Sequence, residues 1–134
     1  MNAILSPMQN DPEKKAEVER RLKVIEEVLG RIPVVNQVLS RRPDLFLPNN
    51  DVSNSLFMGE GAFDNKTRHL IALSAAAANG SPYCIRAQME DAMLFGATED
   101  EIIETLQISA YMGLTKVQST AFRVFDEKFP KKEQ

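Results

Sequence analysis

Residues 64–104 read DNKTRHLIALSAAAANGSPYCIRAQMEDAMLFGATEDEIIE, and the fold is decided there. Two helices with clear ends are written into this stretch. The first spans Lys66 to Asn79, with Asp64 or Asn65 as its cap and Gly80 as its stop. Ser81 stands where it caps the second helix. Pro82 fills the first position of that helix, where a missing N–H costs nothing. Leu70, Ile71, Leu73, Ala75, Ala76, Ala77 and Ala78 leave the first helix almost no polar face, the pattern of a buried helix. In the second, Ile85, Met89, Ala92, Met93 and Gly96 follow a core spacing. Cys84, Gln88 and Asp91 share a neighbouring face at intervals of four and three. Gly96 ends this helix, and Thr98-Glu99-Asp100-Glu101 opens the next with a capping box.

The flanking sequence is helical too. Residues 1–11 read as a loose start. Asp11-Pro12 opens a charged helix to about Leu29, where Gly30 supplies the stop. Its apolar stripe, Val18, Leu22, Ile25 and Leu29, is narrow, and the other positions are mostly charges of both signs. That describes a surface helix lying on the body or on another subunit, not one lying on a membrane. Pro33 starts a short helix, VVNQVLS, and Pro43-Asp44-Leu45-Phe46 starts a turn or two more. Pro48-Asn49-Asn50 should interrupt, because proline disfavours helix for the residue before it. Asp51 then re-caps a helix through Met58, and Gly59-Glu60-Gly61 forms a loop. The last helix places Ile102, Ile103, Leu106, Ala110, Val117, Ala121, Val124 and Phe125 on its apolar side, with Gly113 as a site for a bend or a break. Phe129-Pro130 closes it, and residues 131–134 are a solvated tail. With no strand signal and no internal repeat, the expected fold is all-α, a multi-helix bundle.

At 134 residues the chain is expected to form a single domain, 1–134, with a real core. Its 43 % hydrophobic and 26 % charged residues are ordinary for a globular protein. A net charge of −3 and no long basic run argue against a nucleic-acid partner. MNAILSPMQNDP lacks the charge and apolar run of a signal peptide, and no segment is long enough to cross a membrane. One cysteine forms no intrachain disulfide, which suits a reducing, cytoplasmic location. One histidine with one cysteine points to no zinc site, and no metal or cofactor is expected. The methionines Met58, Met89, Met93 and Met112 read as core filler.

Chemistry is concentrated at two residues. Cys84 falls in the first turn of a helix, beside unpaired backbone N–H groups and the positive end of the dipole, where negative charge is stabilised. His69 is the only imidazole, a group able to accept a thiol proton. A simple hairpin of the two helices would not pair them. His69 lies twelve residues before Ser81 and Cys84 only three after it, so another crossing geometry or a subunit contact is needed. The bland readings are a cysteine serving as a small buried hydrophobe and a histidine bonded to the backbone. Tyr83 and Arg86 flank the thiol, and Gln88 offers hydrogen bonds but no proton exchange.

The segments KTRHLIAL, YCIRA and FGATEDEI, in register, resemble the carboxymuconolactone decarboxylase superfamily and its alkylhydroperoxidase D-like group. The resemblance covers roughly residues 60–126, the core motif region, and the earlier RPDLF turn fits it. That family carries a glutamate, then Cys-x-x-Cys-x-x-x-His. Here the glutamate position holds His69, the first cysteine position Ser81, the second Cys84 and the histidine position Gln88. The motif is therefore degenerate. The resemblance implies a fold of the alkylhydroperoxidase D-like type and assembly into homo-oligomers, trimers or hexamers. It also implies that His69 and Cys84 are neighbours, with His69 in the place of a proton-handling carboxylate.

Three functions follow as expectations. The first is a thiol-based redox protein of peroxiredoxin type. In it Cys84 meets a small peroxide or disulfide, His69 accepts the thiol proton, and Ser81, Tyr83 and Gln88 line the site with hydrogen bonds. An external thiol, or Cys84 of another subunit, then resolves the oxidised sulfur. The second is a decarboxylase-like, non-redox enzyme on a small carboxylate, with His69 as acid or base. The third is an inactive oligomeric scaffold or binding protein.

Overall fold

Helix starts and stops in this chain follow its prolines, glycines and small polar residues. The computed structural model describes residues 7–132. Among these residues a 3-10 turn, Pro7–Gln9, precedes six helices: α1 Pro12–Leu29, α2 Val34–Leu39, α3 Pro43–Phe57, α4 Asn65–Asn79, α5 Pro82–Leu94 and α6 Glu99–Lys128. Among the described residues there is no strand, and the all-α expectation holds. The loose start expected over 1–11 lies outside the described residues up to residue 6; beyond it, Pro7–Gln9 is a formed turn. Of the expected tail, Lys131 and Lys132 are exposed, and residues 133–134 lie outside the described residues. By its internal contacts the chain divides into two units, residues 1–65 and 66–134.

In the first unit, Asp11 Oδ1 accepts hydrogen bonds from the N–H groups of Glu13 and Lys14, both at 3.1 Å, and Pro12 follows at the first helical position. Gly30, at φ 69°, closes α1 by donating its N–H to Glu26 O at 2.8 Å, a left-handed turn that suits glycine. Val18 is buried, and Leu22, Ile25 and Leu29 are half-buried, as the stripe requires.

Pro48 overturns one expectation. Helix α3 runs unbroken from Pro43 to Phe57, with the proline inside it. The missing N–H falls just past the first turn and costs one hydrogen bond. Tertiary contacts hold the helix on either side. Phe46 is fully buried before the proline. After it, Arg21 on α1 donates from Nη1 to Asn50 Oδ1 at 3.1 Å and to Asp51 Oδ1 at 2.6 Å. Asn50 itself is buried.

The second unit holds α4 to α6. Helix α4 is not buried all round, as its composition suggested. Its buried stripe is His69, Leu73 and Ala76, spaced four and three, while Ile71, Ala75 and Ala78 are exposed. Gly80, at φ 65°, ends α4; its N–H donates to Ala77 O at 3.1 Å and that of Ser81 to Ala76 O at 3.2 Å. Ser81 occupies the capping position of α5 without a capping bond from its side chain. The turn is organised instead by the backbone bonds that close α4.

Helix α6 starts on the expected box. Thr98 Oγ1 accepts from Glu101 N–H at 3.2 Å, and Glu101 Oε2 accepts from Thr98 N–H at 2.9 Å. It continues through Gly113 without a break, since one interior glycine costs only about 1 kcal/mol against alanine. Ile102 and Ser109 are its buried residues, and from Ala110 to Lys128 none is buried. The expected apolar side there, including Val117, Val124 and Phe125, is exposed. Lys66 Nζ to Glu101 Oε1 at 2.8 Å and Ser109 Oγ to Ser74 O at 2.9 Å tie α6 to α4.

Candidate functional site

The buried stripe of α4 begins with a histidine. His69 is 5 % exposed, and a ring that polar needs partners once it leaves water. Helix α5 supplies them. His69 Nδ1 lies 2.9 Å from Gln88 Oε1 and 4.0 Å from Asp91 Oδ2. Gln88 and Asp91 stand three residues apart, so they meet the ring from one helix face. Phe95, which closes α5, lies parallel to the imidazole, the planes 3° apart and the centroids 5.2 Å apart.

Cys84 stands one turn before Gln88 on that face. The face runs from an exposed thiol, through the half-buried Gln88, to the buried Asp91. Ser81 is half-buried, and Tyr83 is exposed beside the thiol. Of the residues singled out in the sequence, the structure joins His69 and Gln88. What it sets against His69 Nδ1 is Gln88 and not Cys84. Asp91 and Phe95 are members of the cluster to which sequence reasoning gave no role. The spacing Cys84–Gln88–Asp91 was the signal for Asp91. Phe95 had only its place at the helix end.

At the α4–α6 tie, the Lys66 ammonium beside Glu101 holds its carboxyl below the usual glutamate value, and the N–H of Thr98 adds to the effect. A surface depression on α6 is lined by Ser119, Phe122, Arg123, Phe125 and Asp126, none of them an expected site residue.

The chain matches the carboxymuconolactone decarboxylase family over residues 43–127, and it belongs to that family. Its structure resembles the crystal structure of the alkylhydroperoxidase AhpD core from Rhodospirillum rubrum, with a TM-score of 0.69 and 26 % identity. That likeness covers 91 % of this chain and 93 % of the other. The chain is also 32 % identical over 59 residues to uncharacterized protein 4 in the cox locus of Paracoccus denitrificans. This second match takes in 44 % of the chain and spans about half, 53 %, of that protein. Among the described residues, no helix is long and apolar enough to cross a membrane.

Proposed function

We propose that this protein is a thiol-based redox protein that reduces a small peroxide or disulfide through Cys84. The observation that carries this reading is the exposure of Cys84 in the first turn of α5. That position combines access with the positive end of the helix dipole. The likeness to an alkylhydroperoxidase AhpD core supports it. The Cys84 thiolate attacks an oxygen of the peroxide. An S–O bond forms, the O–O bond breaks, and the leaving alkoxide takes a proton to become an alcohol. Cysteine is oxidised to sulfenic acid. A first external thiol condenses with it, releasing water and leaving a mixed disulfide. A second displaces Cys84 and leaves as the donor disulfide. With one cysteine in the chain, the resolving sulfur comes from a donor or another subunit. His69 is the group that accepts the thiol proton. The decarboxylase-like reading is weaker, because it asks a ligand to reach an imidazole that is only 5 % exposed. A reducing compartment such as the cytoplasm suits this cycle.

The chain is also proposed to act as a homo-oligomer, a trimer or hexamer. Tyr111, Met112, Leu114, Val117, Phe122 and Phe125 are all at least half exposed along α6, more apolar surface than an isolated chain ordinarily leaves in water.

The test of the redox reading is peroxide consumption with a dithiol donor. The native protein turns over and Cys84→Ser does not. Equal turnover by the two proteins would end the reading.

A further inference from the structure

We infer that Asp91 is a positioning residue that holds the neutral imidazole of His69 as its Nδ1–H tautomer, leaving Nε2 as the nitrogen that takes a proton. Its use in catalysis rests on the thiol reading above; the tautomer itself does not. Two side-chain oxygens converge on one nitrogen of this ring: Gln88 Oε1 at 2.9 Å and Asp91 Oδ2 at 4.0 Å. An amide can turn either its oxygen or its nitrogen to a ring nitrogen, so Gln88 alone does not fix the proton. A carboxylate has only acceptors to offer. Asp91 is 4 % exposed, and an ionised carboxylate withdrawn from water draws N–H donors towards itself. Its field makes an N–H at Nδ1 favourable and a lone pair there unfavourable, and Gln88 then presents its oxygen. Phe95, stacked at 5.2 Å, keeps the ring from rotating out of this arrangement.

This gives a cooperating acid–base arrangement of known logic: a carboxylate at one ring nitrogen sets the other as the base. It also supplies a carboxylate and an imidazole in one cluster, although the position where the family carries glutamate holds His69 and the position where it carries histidine holds Gln88. Asp91 lies three residues beyond Gln88, further along α5 from the helix start that bears Cys84.

His69 is the only histidine, so a 15N NMR spectrum of the full-length protein reports its ring without assignment mutants. For the neutral ring, the expected spectrum is that of Nδ1–H with an unprotonated Nε2. In Asp91→Asn the Nδ1–H signature is expected to give way to Nε2–H, and in Asp91→Glu to be kept. Gln88→Met provides a second variant should Asp91→Asn fail to fold. Retention of Nδ1–H in Gln88→Met assigns the tautomer to Asp91; a switch to Nε2–H there assigns it to Gln88 and overturns the inference. An Nε2–H ring in the native protein, or no change in a folded Asp91→Asn, overturns it as well. Peroxide turnover measured on the same samples separates the two claims. A native Nδ1–H ring that responds to Asp91, with an inert Cys84, keeps the inference and ends the thiol reading.

Discussion

A histidine at the head of a buried stripe is costly unless its polar edge is matched, and at position 69 that match comes from α5. Replacing Gln88 with leucine removes the acceptor 2.9 Å from Nδ1 while keeping the bulk. The unmatched ring nitrogen should cost about 1–3 kcal/mol, read as a lower denaturation midpoint at unchanged slope. A cost near zero would mean that the ring's other partners satisfy it. How legible this was is a matter of geometry. The Cys84–Gln88–Asp91 face was plain from spacing, because helical period fixes it. Which of the three meets His69 was not, because the crossing of α4 and α5 depends on packing. Hairpin spacing brings the far end of α5 to His69. Asp91 and Phe95 lie ten and fourteen residues beyond Ser81, against twelve before it for His69.

Among the elements, α6 is anchored at its first turn by one residue with two duties. Glu101 closes the capping box and pairs with Lys66 of α4 at 2.8 Å. Its carboxyl ionises below the usual value of 4.5 because the charged form is bonded. A carboxylate lowered in the folded state adds stability above its unfolded value, and that stability is lost as pH falls through the folded one. Glu101→Gln should therefore melt earlier than the native protein at pH 7, and the gap should close as the pH drops below 4.5. A gap that persists in acid would assign the effect to packing. Local signals made this helix start readable: threonine, three acidic residues and an apolar run. Local signals misread Pro48. Nothing near it in sequence announces that Phe46 is buried or that Arg21 reaches Asn50 and Asp51 from another helix.

For the molecule as a whole, the feature that sequence reading placed wrongly was burial. Alanine-rich α4 and the apolar side of α6 are patterned for an interior, yet Ile71, Val117 and Phe125 are exposed in the single chain. Helical periodicity tells which residues avoid water but not which chain covers them. A second copy is the proposed cover. Val117, 67 % exposed midway along α6, tests it: Val117→Glu should reduce the mass measured by light scattering towards 15.0 kDa, with helicity retained. A native protein already at that mass would remove the proposal. Fold class and family, by contrast, were legible, because the helix ends and the KTRHLIAL, YCIRA and FGATEDEI segments are local.

The proposed cycle turns on one sulfur. The most direct measurement is the mass of the native protein after one equivalent of an organic hydroperoxide, with dimedone present to trap sulfenic acid, followed by peptide mapping. A single dimedone adduct is expected on Cys84, formed more slowly in His69→Ala and absent in Cys84→Ser. A folded protein whose Cys84 remains a free thiol under those conditions would contradict it.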